Sequence, residues 1–121
     1  PSMRPTTVQI AVPAMTDHEL ASDEVFELAA EVFRVMSAPM RLKIISALCQ
    51  GEKNVGELLG EIPTTQPNMS QHLNTLYKAG VLGKRREGVQ IYYRIVNERV
   101  VTLCRAVCTQ IAIETVAEQQ A

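Results

Sequence analysis

Between Asn54 and Val96 the chain is punctuated so closely that few folds accept it. Asn54 to Gly60 predicts a short helix presenting Val55, Leu58 and Leu59, and Ile62-Pro63-Thr64-Thr65 is too short and too kinked for anything but a tight connection. Gln66 to Ala79 then repeats apolar residues at helical spacing (Met69, Leu73, Leu76), with Pro67 tolerated in the first turn and Gly80 as the stop. Residues 81–96 form two β-prone runs around Glu87-Gly88, a hairpin pattern.

The flanks are helical. From Ser22, a residue type suited to an N-cap, Val25, Phe26, Ala29, Val32, Phe33 and Met36 mark the inward stripe of a helix ending near Met36. Pro39 opens a second helix, Met40 to Cys49, with Leu42, Ile45 and Leu48 inward and Gly51 beyond its end. The last helix, about Asn97 to Ala117, is apolar over an arc too wide for one neighbour, with Val100, Val101, Leu103, Cys104, Val107, Cys108, Ile111, Ala112 and Val116. That width predicts a second copy of the chain against it. With 121 residues the chain can bury one core, so residues 22–118 are expected to form one domain behind a flexible leader of residues 1–21 that holds three prolines. The expected class is mainly α with a small β-hairpin wing, in the order of a winged helix-turn-helix.

Charge supports that order locally and not globally. The net charge of −1 carries no signature of polyanion binding. Helix 66–79, however, turns Gln66, Asn68, Ser70, Gln71, Asn74 and Lys78 outward, after Thr65, and such amides and hydroxyls suit base edges and phosphates. Lys84, Arg85 and Arg86 then bring cations to the hairpin, where a DNA backbone would lie. A solvated surface face would read similarly from the helix alone; the basic hairpin beside it favours DNA.

The segments "SAPMRLKIISAL", "GEKNVGELL", "TTQPNMSQHLNTLYKAGVL" and "GVQIYYRI" resemble the ArsR/SmtB family of bacterial repressors over about residues 24–118. The resemblance implies that the "SQHL" helix enters the major groove of double-stranded operator DNA, that the hairpin is the wing, and that the first and last helices build a homodimer released from DNA by an inducer. It also implies a recognition-helix position for His72, and not a metal ligand. Tyr92 and Tyr93 belong to the returning strand and are expected to pack.

Effector sites in that family are tested residue by residue. The thiol box of its arsenic-type members would need cysteines where Asn54 and Gly56 stand, and its zinc-type site would need ligands where Asn97, Arg99, Gln110 and Ile113 stand. Neither is present. Of three cysteines, Cys104 and Cys108 share a helix face, with Cβ atoms about 5–6 Å apart, too far for an unstrained disulfide, which needs about 3.5–4.5 Å; Cys49 is a possible accessory. A thiol-only set selects soft, thiophilic species, so As(III) or Sb(III) is the expected inducer, with no cofactor required. Two alternatives remain open: cysteines that only pack, and a redox or reactive-sulfur switch. Persulfide-responsive relatives pair a cysteine in the second helix with one late in the last, where this chain has Ser46 and Ala112.

An enzyme is not expected, because the chain has no Ser/His/Asp set, paired carboxylates in a cleft pattern or Gly-rich phosphate loop, and so no catalytic residues. No uncharged apolar run of about 18 residues and no secretory start are present, which predicts a cytoplasmic protein without a membrane partner and with reduced thiols.

Overall fold

The computed structural model describes Thr16 and residues 22–120; the expected leader, residues 1–21, otherwise lies outside the described residues. The chain divides between Glu31 and Val32 into two compact units. Helix α1 (Asp23–Met36) crosses that boundary. At its start the Val25 N–H donates to the Ser22 hydroxyl at 3.3 Å, the cap expected from the sequence.

The larger unit holds α2 (Pro39–Leu48), β1 (Lys53–Asn54), α3 (Val55–Glu61), α4 (Gln66–Lys78), β2 (Leu82–Glu87), β3 (Gln90–Ile95) and α5 (Glu98–Gln120). The strands form one antiparallel sheet in the order β1-β3-β2. The mainly helical class with a hairpin wing is thus observed. One element was not expected: β1 pairs Lys53 with Tyr93 and Asn54 with Tyr92, and two residues are too few to show any alternation.

The core is where α2, α3, α4 and the sheet meet. Ile44, Ile45, Leu58, Met69, Leu73, Leu76 and Val100 are fully buried, with Leu48, Ile62, Val81 and Leu82 beside them. The inward stripe of α4 is therefore the one its spacing predicted. For α1 the expectation needs correcting: Val35 and Met36 are buried, but Phe26 and Phe33 are 59% and 57% exposed, and Val25 is exposed too. The apolar arc of that helix is wider than the strip this chain covers.

Two glycines fix the path through the reading region. Gly80, at φ +78°, ends α4. Its N–H donates to Tyr77 O at 3.1 Å and the Val81 N–H to Leu76 O at 3.0 Å, a Schellman ending in which buried Val81 packs on buried Leu76. The hairpin turn is Gly88-Val89, one residue beyond the Glu87-Gly88 expected, with Glu87 paired to Gln90. Positive φ occurs at Gly88 and not at Val89, which matches a II′ turn.

Helix α5 is packed only along its first turns, through Val100 and Cys104, while Val107, Ile111, Ile113 and Val116 are exposed. By length and composition it is long and apolar enough to cross a bilayer, although Arg105 and Glu114 interrupt it. Val107, Ile111 and Val116 belong to the arc whose breadth suggested a neighbouring chain; Ile113 widens it further.

Asn54 both pairs in β1 and caps α3: its side-chain Oδ1 accepts from the Glu57 N–H at 2.7 Å, while its backbone N–H donates to the Glu57 carboxylate at 2.9 Å. Asn54→Ala is expected to lower unfolding free energy by about 1 kcal/mol, measured by urea denaturation, with no change in helix content by circular dichroism.

Candidate functional site

Helix α3, the connection Ile62–Thr65 and α4 form the helix-turn-helix, and β2 and β3 form the wing beside it. The N-terminus of α4 is built from its own sequence. Thr65 accepts from Asn68 N–H at 3.2 Å, and the Asn68 amide donates to the Thr64 hydroxyl at 2.9 Å. Thr65 and Asn68 therefore order the tip of the helix, and Asn68 is half-buried there. Gln66, Ser70, Gln71, Asn74 and Lys78 are exposed on its outer face, as expected. Because burial of Met69, Leu73 and Leu76 sets the rotation of α4, the polar face has one direction available.

The three wing cations prove to be unlike one another. Strand alternation places Lys84 and Arg86 on the face of β2 shared with buried Leu82 and Tyr93, and Arg85 on the opposite face with Tyr92. Lys84 Nζ lies 4.3 Å from the centre of the Tyr77 ring, so a residue at the end of α4 holds it by a cation–π contact. Arg85 is committed elsewhere: Nε and Nη2 donate to the two carboxylate oxygens of Glu52 at 2.9 and 2.8 Å, Nη1 donates to Glu87 at 2.8 Å, and the guanidinium lies 4.7 Å from the Tyr92 ring centre. The hydrogen bonds from Arg85 hold the Glu52 carboxyl below its usual range. Arg85 is thus a brace between the wing and the connection from α2 to β1, while Arg86 enters no ion pair with the described residues and remains exposed. Tyr77 was missed in the sequence because an exposed tyrosine has no helical signature of its own. The tyrosines of β3 do pack, Tyr93 in the core and Tyr92 under Arg85.

The second feature is the thiol pair. One helical turn brings Cys104 Sγ and Cys108 Sγ to 3.7 Å. Cys104 is buried and Cys108 exposed. Burial first, then the hydrogen bond with Cys108, push the Cys104 thiol up to about 11, with Cys49 acting in the same direction. Half-buried Cys49 packs against the core, and among the described residues no three His, Cys, Asp or Glu side chains gather as a metal-holding group. The structure brings two thiols together, and not three. Beside Cys108 a groove of about 440 Å³ opens between Ser46 and Ala47 of α2 and Ile62-Pro63, which gives the outer thiol access to solvent.

A geometry of helix, tight turn, polar helix and basic hairpin can be set against known proteins. The family model for bacterial regulatory proteins of the arsR family matches residues 38–84. A biofilm growth-associated repressor of Agrobacterium fabrum is 37% identical over 98 residues, covering 81% of this chain and 78% of that protein. The chain belongs to the ArsR family. This ArsR-family chain also resembles the solved transcriptional repressor BigR of Xylella fastidiosa, at a TM-score of 0.71 and 33% identity over 78% of this chain and 95% of that one. A homodimeric winged helix-turn-helix DNA-binding domain from Mycobacterium bovis gives a TM-score of 0.64 at 28% identity, covering 88% and 95%. The family and these relatives are transcriptional regulators, and the protein is a winged-helix transcriptional repressor, not an enzyme.

Two substitutions separate the wing cations. Arg86→Ala is expected to reduce the dependence of log affinity on log salt by about 1 with unchanged thermal unfolding. Arg85→Ala is expected to lower the unfolding temperature, read by circular dichroism, because it removes the cation that Glu52 and Glu87 both contact. The buried thiol gives a pH test. A neutral form favoured by folding stabilises below the ordinary value of 9.0, and that contribution is lost as pH rises through about 11. Unfolding free energy is therefore expected to fall across that window in the wild type and to change less in Cys104→Ser.

Proposed function

We propose that the protein is a cytoplasmic homodimer that represses by occupying operator DNA and leaves it when a soft trivalent metalloid, antimonite or arsenite, binds Cys104 and Cys108. The carrying observation is the 3.7 Å separation of the two sulfurs, one turn apart on α5. Unbonded sulfurs at that distance suit one bridging atom: with bonds of about 2.3 Å, the length of a zinc–thiolate bond, the bridge has an angle of roughly 107°. The reaction is a condensation, M(OH)3 + 2 RSH → M(SR)2(OH) + 2 H2O. Each thiol proton leaves in water, so a thiol held protonated by burial is no obstacle. A divalent ion, in contrast, must displace protons from both sulfurs, and the high value at Cys104 works against it.

The dimer is supported by the exposed apolar residues of α5 and by the homodimeric relative. Two copies present two α4 helices, and their spacing must match successive major grooves. The thiols lie on the helix assigned to the interface, so a bound metalloid alters that spacing and weakens operator binding, and by reciprocity operator DNA weakens metalloid binding by the same factor.

The test uses the reduced protein, DNA from its own upstream region and fluorescence anisotropy at fixed salt. Stoichiometric Sb(III) or As(III) is expected to release the DNA, with Cys104→Ser and Cys108→Ser each binding DNA normally and failing to respond. Sb(III) affinity is expected to vary little between about pH 6.5 and 8, whereas Zn(II) affinity rises with pH. Unchanged responses in both variants would overturn the reading. The pairing of exposed Cys108 with buried Cys104 favours a second reading, an oxidant- or polysulfide-driven switch; release by polysulfide but not by metalloid would support it.

A further inference from the structure

A contact outside both features ties the reading helix to the rest of the fold. Arg41, in the first turn of α2, donates through Nε to the carbonyl of Val35 near the end of α1, and its Nη1 lies 3.2 Å from Nδ1 of His72 on α4. One guanidinium thus joins three elements. Arginine carries only donors, so the contact with Nδ1 requires a lone pair there, which places the imidazole proton on Nε2 and leaves the ring neutral. Removal from water and the Arg41 charge both hold the His72 imidazole below its usual value.

We propose that Arg41 is a positioning residue for DNA reading: through neutral His72 it sets α4 against the end of α1, and protonation of His72 breaks the bridge and weakens operator binding. A protonated ring presents donors at both nitrogens and a positive charge toward Arg41, so the bridge becomes a repulsion. Arg41 is the charged group acting on the imidazole among the described residues. Of the charged groups on the other elements packed on α4, Glu57 of α3 meets the Asn54 N–H and Glu61 meets Lys53; on β2, Lys84 lies on Tyr77, Arg85 meets Glu52 and Glu87, and Arg86 is exposed; on α2, Lys43 is exposed. His72 sits on the inner flank of α4, half-buried, while Gln71 and Asn74 occupy the outer face. It acts through the seat of the helix, not on the DNA.

The sign of the pH effect separates these roles. A histidine meeting phosphate binds more tightly when protonated, whereas a bridge needing neutral His72 binds less tightly. Operator affinity of the full chain is measured by anisotropy at constant ionic strength, because phosphate contacts are salt-dependent. Because the ring is held below the ordinary histidine value, the loss falls in the acid range: the wild type is expected to lose roughly tenfold in affinity between about pH 7.5 and 4.5, most of it in the lower half of that window. His72→Asn, whose carbonyl takes the place of Nδ1 at every pH, is expected to match the wild type at the upper pH and to stay within about twofold throughout. Arg41→Lys, which cannot span both partners, is expected to bind more weakly at the upper pH, and its His72 ring, followed by NMR, titrates closer to an ordinary histidine. Circular dichroism checks that both variants fold. Tighter wild-type binding as pH falls, or a His72→Asn variant with the full wild-type pH dependence, would overturn the proposal.

Discussion

Burial of three side chains on one helix, Met69, Leu73 and Leu76, is the constraint on which the reading region depends. A helix buried along one stripe can neither rotate nor slide without opening a cavity, at a cost of about 2–5 kcal/mol for each large residue unseated. Everything outward on α4 inherits its direction from that stripe. So does the wing, because the Schellman ending hands the chain from Leu76 to Val81 and directly into β2. The exposed amides and the cations beside them are arranged by apolar packing behind them.

Electrostatics then sorts residues that look alike in sequence. Lys84, Arg85 and Arg86 are consecutive, yet one rests on an aromatic ring, one is locked between two carboxylates and one is exposed without an ion pair among the described residues. The period of two along a strand, with a carboxylate at Glu52, makes that division. A basic run on a strand therefore overstates the number of cations offered to a phosphate backbone by counting those that hold the strand in place. The same sorting applies to the thiols, where one turn of helix puts Cys104 in the core and Cys108 at the surface.

Much of this was legible in the sequence because local chemistry decides it. Pro39, Pro67 and Gly80 mark helix ends by backbone geometry, and the apolar spacing in 66–79 identifies the buried face of α4. The pairing of Cys104 with Cys108 follows from four-residue spacing alone. What was not legible depends on contacts distant in the chain. Arg85 meets Glu52 across 33 positions and Arg41 meets His72 across 31, and neither pairing has a local signal. Strand β1 was hidden because two residues have no period. The outward face of α1, with Phe26 and Phe33, was read as inward because apolar spacing marks a face without telling what lies against it.

That two-residue strand has a consequence for how such a protein responds. Asn54 belongs at once to the sheet, through Tyr92, and to the cap of α3, so the wing and the first helix of the reading unit share a backbone residue. Their mutual freedom is lost when the chain folds and is not lost again when it docks on a duplex, which preserves affinity that a loosely hinged wing would forfeit. The same stiffness restricts regulation. In the homodimer proposed above, a head so braced is switched as a block, by moving one copy against another, and not by melting its parts.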